Sequence, residues 1–585
     1  MPTTGPFAAF IEGGSATGAL VLALLYAALP PFKGLLEAFS SSYVVQDDAR
    51  QFLFWMRRWL DPALFPGDLN AEYWQSVTPL GYQALFRVAA LLGIDPMVLD
   101  KLLPPALGLA LAYFAFRLTL RIVPVPAAAF TASALTVFFM WLMEDTASGM
   151  PRGFAVPVFL AFLCWLVERR TLALAVTALL QGLLYPQMSL VYFGVLALWL
   201  LRWRDGRPAL SRDRADWRRA AVGCGAVLLA LLPFMIQAGA FGPTIALAEA
   251  RATPAFQPGG RSEFFLADPV DFYLCGIRSG LLPVQWGCHS AYAAGLPVAP
   301  AIAVGELLFA LGLPVWVGLR AGRARGSAGR PRLEAWVLAA AVASGTALFV
   351  AAHLLLFRLH LPARYGQHTL RAVSMVVLGV ALAPAFVRAA RWAFRSRRRQ
   401  AALGAAALGL VAALFALTAA LSVIPRTEYV HGRYPALYAE IAAQPKDAVI
   451  ASLSEEADSL PAFTGRTVLA TREYAIPYST GYIRRLRERT EGLIRAAYDP
   501  DIAALLGYLD RYAVNLLLFD ADAFTPAHVA GAWWRHDYPA AAAAADATMA
   551  GGRGPALARL IDACGRRPDP RFIVLDAACI RRHAR

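Results

Sequence analysis

The chain has 585 residues, 58% of them hydrophobic and only 16% charged, against about 25% charged in ordinary soluble domains. Such a composition excludes a disordered chain or a single soluble globule and describes a polytopic membrane protein. The net charge of +15 does not point to nucleic acid, because arginines crowd Arg202–Arg219, Arg320–Arg332 and Arg388–Arg399, short segments between apolar stretches where the positive-inside rule expects them.

In chain order, windows apolar enough to cross the hydrocarbon core fall at 15–32, 98–121, 124–143, 152–168, 171–185, 188–203, 219–240, 298–319, 333–357, 369–388 and 401–424, about eleven spans. No basic residue precedes Lys33 and no small-residue cleavage site follows the first window, which is therefore expected as a retained helix rather than a removed signal peptide. With the arginine loops inside, the N-terminus is cytoplasmic, and Arg117, Arg121 and the Glu168-Arg169-Arg170 turn fall inside as well. Segments 33–97, Glu144–Pro151, 241–297, Arg358–His368 and 425–585 then fall outside. Pro79–Gly93 is apolar but short and carries Arg87, so it is expected as a re-entrant or interfacial helix.

The chain divides at residue 424 into a transmembrane domain (1–424), with a large first exterior loop (33–97), and an exterior soluble α/β domain (425–585). In the second part, β-rich runs at Ala448–Leu453, Thr467–Thr471, Asn515–Phe519 and Arg571–Leu575 alternate with helical patterns at 434–443, 483–498, 500–512 and 555–564. Cys275 and Cys288 share one exterior loop, and Cys564 and Cys579 share the tail. Two exterior pairs are what an oxidising compartment allows, although spacing alone does not bring their Cα atoms within reach. No spacing resembles a zinc site.

Three polar islands stand out on the expected exterior side. Val44–Tyr73 carries Asp47, Asp48, Asp61 and Asp68, with Arg50, Arg57 and Arg58 and the aromatics Phe52, Phe54, Trp55 and Trp59 among them. Those aromatics suit an element lying along the membrane surface. Ionisable groups at membrane depth are costly and usually face water or a cavity. At the mouth of a span, Asp47 could serve as general base or metal ligand with Asp48 tuning its pKa, or as the N-cap of the helical pattern behind it. Asp61 and Asp68 read as loop-structuring residues.

The second island, Glu144 to Arg152, places Glu144 and Asp145 where they could hold a divalent cation, Mg or Mn, together with Asp47. It also reads as a polar turn between two helices. The third runs from Arg358 to Arg371 and contains His360, Arg364, Tyr365 and His368, with Pro362 breaking the helix. Arginine's planar fork suits phosphate oxygens, and the positive end of the following helix adds to that field. Snorkelling towards lipid headgroups is the plainer use of such arginines.

The run Asp47-Asp48-Ala49-Arg50 after the first span resembles the Asp-acidic-x-Arg pattern of the lipid A aminoarabinose transferases. The layout resembles the GT-C class of membrane glycosyltransferases more broadly, including protein O-mannosyltransferases and the catalytic subunit of oligosaccharyltransferase. That resemblance implies a polytopic α-helical GT-C-like fold and an inverting transfer from a polyprenyl-phosphate-linked sugar to a glycan, lipid or protein acceptor. It implies Asp47 as catalytic residue with Asp48 second, and Arg364 as the clamp on the lipid phosphate with His360, Tyr365 and His368 beside it. Arg50 and Arg152 join the substrate-binding set, and Glu144 and Asp145 the metal ligands. The expected setting is the outer face of a bacterial cytoplasmic (inner) membrane, among membrane lipids and without nucleic acid. There is no GxxxxGK[ST] loop, HExxH or serine-nucleophile elbow. A lipid or glycan transporter (a flippase) and a non-catalytic envelope assembly protein are the rival readings. The lack of an internal repeat weighs against the first.

Overall fold

A computed structural model of the chain describes residues 14–204, 207–237, 239–323 and 333–584. Residues 1–13 and most of the arginine segment 320–332, which bear on the expected orientation, lie outside the described residues. The apolar helices are α1 (Ala16–Ala38), α2 (Pro96–Ile122), α3 (Pro126–Met140), α4 (Pro151–Val167), α5 (Thr171–Leu184), α6 (Pro186–Trp199), α7 (Arg214–Phe234), α8 (Ala299–Arg320), α9 (Trp336–Leu354), α10 (Ala363–Ala393) and α11 (Arg397–Ala420). Seven of them, α1, α2 and α7–α11, are long and apolar enough to cross a membrane, while α3–α6 are shorter.

The bundle is built around α10, which packs against α3, α4 and α9. Small residues let the backbones approach: a Cβ on Gly379 of α10 would stand 2.6 Å from Ala132 Cβ of α3. At one end of the bundle, Arg117 and Arg121 of α2 meet Glu168 at 2.7 and 2.8 Å. The 27 residues of α2 extend about 40 Å, so the loops at its other end, where the polar islands gather, are a membrane's thickness away.

Leu80–Leu91 forms a helix of 12 residues, about 18 Å long and too short for a span. It packs against α5, with Gly81 closed on Leu183. The first loop and the Glu144 turn consequently lie at the same end of the bundle, and Arg152 touches Asp48 at 2.6 Å.

The chain after α11 is tied directly to the first loop. Strand β1 (Val44–Gln46) pairs antiparallel with β2 (Tyr429–His431), and Lys33 donates to the carbonyls of Thr418 and Leu421 at the end of α11. The tail then forms a five-stranded sheet from β3 (Val449–Ser452), β4 (Thr467–Val468), β5 (Leu516–Asp520), β6 (Gly565–Arg566) and β7 (Phe572–Asp576), in the order β4-β3-β5-β7-β6. β4, β3 and β5 are parallel, whereas β7 runs antiparallel to β5 and β6.

Side chains alternate faces along a strand, and here both faces are covered. Leu516, Leu518, Phe572 and Val574 meet Leu437, Tyr438 and Ile441 on one side. Leu517, Phe519, Ile573 and Leu575 meet Leu493, Leu505 and Leu509 on the other. That double burial explains why these strands read as continuous apolar runs.

Two of the first loop's aromatics, expected along a membrane surface, are covered by protein instead. Phe54 and Trp55 are buried in a core shared with Tyr474, Tyr482 and Leu486 of the tail, and Tyr73 stacks on Tyr482 with ring centroids 3.6 Å apart. Their apolar area is covered by protein, which removes it from water as a lipid surface would. Asp68 caps the helix Leu69–Val77 by accepting from the backbone N–H groups of Asn70 and Ala71, and Asp61 pairs with Lys446 at 2.5 Å. Both cysteine pairs, Cys275–Cys288 and Cys564–Cys579, are bonded, with Cα atoms 5.5 Å apart in each.

Candidate active site

The segments gathered at this end enclose a cavity of about 620 Å³. Each of the five stretches expected on one face contributes a wall: Asp47 and Asp48, Glu144, Arg261 and Arg278, His360 and Arg364, and Glu428 and Tyr478. Tyr185, Pro186 and Gln187, where α5 gives way to α6, also line it.

The acidic wall is wired through arginines. Arg152, at the start of α4, reaches Asp48 at 2.6 Å, Asp145 at 3.1 Å and Glu144 at 3.3 Å. Asp145 gives its second oxygen to Arg371 of α10. Burial alone would raise the Asp145 carboxyl, but the Arg371 and Arg152 guanidinium groups hold it well below the usual carboxylate range. Side-chain exposure falls from 43% at Asp47 to 27% at Asp48, 18% at Glu144 and 3% at Asp145. The open acid is Asp47. Its backbone N–H donates to Glu428 O at 3.0 Å, and its carboxylate pairs through Oδ1 with Arg50.

Arg50, expected to bind substrate, turns away from the cavity. It is buried between Asp47 and Glu473, 3.4 Å from the latter, and donates to Ser459. Glu473 of the tail also accepts from Gln51 at 2.5 Å and pairs with Arg261 at 2.6 Å. Burial pushes its carboxyl up to about 7, with Asp47 adding to the rise and Arg261 and Arg50 opposing it.

The basic wall comes from the turn before α10 and from the loop after α7. His360 closes a tight turn with φ +62°, an uncommon conformation for a side-chain-bearing residue. Burial, with the neighbouring Arg364 guanidinium, pushes its imidazole down to about 3, so it is neutral at physiological pH. Arg364 lies in the first turn of α10, where the chain's Ala363 N–H donates to Arg278 O at 3.3 Å. Among the described residues no carboxylate pairs with Arg364 or Arg278, and Arg278 donates only to Glu263 O at 3.2 Å. Tyr365 and His368 stand behind this wall. The Tyr365 hydroxyl donates to Leu359 O at 2.7 Å, and His368 Nε2 is 3.2 Å from the Tyr185 hydroxyl.

Glu473, Arg371 and Arg278 went unassigned in the sequence. The only signal for Glu473 was its place in the short polar run Thr471-Arg472-Glu473-Tyr474. Arg371 closed the third island without a partner to give it meaning.

A divalent cation needs open oxygen ligands, commonly several carboxylates. Asp47, Asp48 and Glu473 bring carboxylate oxygens within 4.8 Å of one another. Yet Asp48 is held by Arg152 and Gln51, and Glu473 by Arg50, Arg261 and Gln51. Both oxygens of Asp145 face guanidinium groups as well. As arranged, these acids do not fit a cation. The other grouping, Cys564, Cys579 and His583, offers no thiolate because its cysteines are disulfide-bonded.

The sequence matches no family model and no curated protein. Solved structures do match. The oligosaccharyltransferase of Archaeoglobus fulgidus in its apo form is 13% identical with a TM-score of 0.51, over 90% of this chain and 72% of that one. The same enzyme tethered to an acceptor peptide containing the NVT sequon matches at 12% identity and a TM-score of 0.51, over the same shares. ArnT from Cupriavidus metallidurans bound to undecaprenyl phosphate matches over 96% of this chain and 98% of that one, at 12% identity and a TM-score of 0.38. The fold of this chain is that of the GT-C membrane glycosyltransferases, as the resemblance implied.

Proposed function

We propose that the chain is a membrane glycosyltransferase that moves a sugar from a polyprenyl-phosphate donor to a glycan, lipid or protein acceptor, with inversion. One observation carries this reading. Asp47, the most exposed of the four acids joined through Arg50 and Arg152, has an oxygen without a protein partner among the described residues, and the same cavity is lined by Arg364 and Arg278, whose guanidinium groups have no carboxylate partner among them.

Asp47 takes the proton of the acceptor hydroxyl as that oxygen attacks the anomeric carbon. The bond from that carbon to the phosphate oxygen breaks on the opposite face, and the electron pair leaves with the lipid phosphate. Arg364 and Arg278 meet the charge that grows there. Neutral His360 adds no cation to this wall and can donate or accept one hydrogen bond.

The reaction is assigned to the outer face of a bacterial cytoplasmic membrane, with the N-terminus cytoplasmic and residues 425–585 forming an extracytoplasmic domain. The arginine-rich Arg388–Arg399, at the far end of α10 from the cavity, and disulfides in two of the segments on the cavity's side support that orientation.

Comparing lipid-linked sugars and envelope glycans in cells with and without the gene names the sugar and acceptor. With that pair in hand, purified Asp47→Asn should lose transfer by about 10²–10⁴-fold while melting like the wild type. Wild-type transfer by the folded variant would remove Asp47 from the role. Flux of the lipid-linked sugar across vesicles without covalent transfer would favour a flippase.

A further inference from the structure

We infer that the Arg152 guanidinium stands where a divalent cation would stand in this acid cluster, so that the site operates with a built-in organic cation. The inference rests on reading the cavity as the transferase site, but the contacts that carry it are independent of the sugar or acceptor.

Arg152 is the hub of the acidic wall. One guanidinium lies within 3.3 Å of three carboxylates drawn from two separate loops: Asp48, Glu144 and Asp145. The turn that holds it is closed tightly on itself. A Cβ on Gly153 would stand 2.8 Å from Asp145 O, and one on Gly149 would stand 2.5 Å from Leu103 Cδ1. The backbone therefore holds Arg152 against the acids, and its side chain is only 14% exposed.

A magnesium or manganese ion would have to take the same oxygens at about 2.1 Å. It would bring two positive charges against a guanidinium already in contact with those ligands, a repulsion that a half-buried site screens poorly. Moving to Asp47, Asp48 and Glu473 does not avoid the conflict. Of their oxygens, only Asp47 Oδ2 lacks a protein partner among the described residues. The planar fork of Arg152 orders Asp48 and Glu144 as a metal would, and it leaves Asp47 Oδ2 free to receive a proton.

Manganese binding to the purified full-length protein in lipid nanodiscs, after chelator treatment, tests this by the electron paramagnetic resonance signal of free Mn2+. Wild type should take up no ion tighter than about 1 mM. Arg152→Gln frees Asp48 and Glu144 and leaves Asp145 with Arg371 alone, so it should gain a site at least about ten-fold tighter. A wild-type site of micromolar affinity that Asp48→Asn abolishes overturns the inference, and so does a folded Arg152→Gln protein that gains no site. If Arg152→Gln fails to fold, the wild-type titration still decides, because it alone separates a cation-filled cluster from an arginine-filled one. Because the readout is ion binding, a failure of the glycosyltransferase reading would show separately, as absent transfer with these results unchanged.

Discussion

Arg371→Met strands a buried carboxylate, and its cost can be worked from the contacts. Arg371 and Asp145 are each 3% exposed at the side chain, and they pair directly. Arg371 also donates to Gln285 Oε1 at 3.0 Å. Without it, Asp145 keeps only Arg152, whose Nε lies 3.1 Å away without hydrogen-bond geometry and whose charge is already shared with Asp48 and Glu144. Breaking one side of a buried ion pair costs about 3–5 kcal/mol, whereas replacing both sides with apolar groups is often close to neutral. The single variant should therefore melt several degrees below wild type, and Arg371→Met combined with Asp145→Leu should recover most of the loss. Intrinsic fluorescence in detergent reads this directly, since the chain has 14 tryptophans. A single variant that melts within a degree of wild type, or a double variant less stable than the single, would refute the reasoning.

Glu473 gives a pH signature. Its carboxyl is raised to about 7 by burial, so the folded state holds a proton that the unfolded chain releases near its ordinary value of about 4.3. That contribution is complete below the unfolded value and is lost as pH climbs to about 7, amounting to about 3–4 kcal/mol. Glu473→Gln should flatten the fall in melting temperature across that window, and an unchanged slope counts against the assignment. Asp68→Ala removes the cap on Leu69–Val77 and should cost about 1–2 kcal/mol in thermal unfolding; an unaltered melting temperature would show the cap to be dispensable. If the proposed donor site is right, Arg364→Gln should weaken binding of a polyprenyl phosphate roughly ten- to hundred-fold, as expected for a charge-assisted hydrogen bond, with little change in melting temperature. Equal binding by the variant would remove Arg364 from the phosphate site.

The apolar helices, the strands of the tail and the short helix at Leu80–Leu91 were legible in the sequence for a common reason. Each is set by a property summed over consecutive residues: about 20 apolar positions for a span, and a β-rich apolar run for a strand buried on both faces. The polar islands were legible too, because charge is conspicuous in an apolar chain. Their joint presence around one cavity followed from topology, in that loops between the right pairs of helices must emerge at the same end.

Which charged side chain meets which was decided only by tertiary structure. Arg50 reads like a partner of substrate in Asp47-Asp48-Ala49-Arg50, yet it faces Glu473, a residue of the distant tail. Phe54 and Trp55 read like membrane-surface aromatics, yet the tail covers them. Asp145 reads like a metal ligand, yet Arg152 and Arg371 take both its oxygens. Apolar burial is non-directional and tolerates any nearby cover, so a local pattern predicts it. An ion pair requires two particular groups within a few ångströms of each other, and Arg50 with Glu473, like Asp145 with Arg371, comes from chain segments hundreds of residues apart, a distance that no local pattern records.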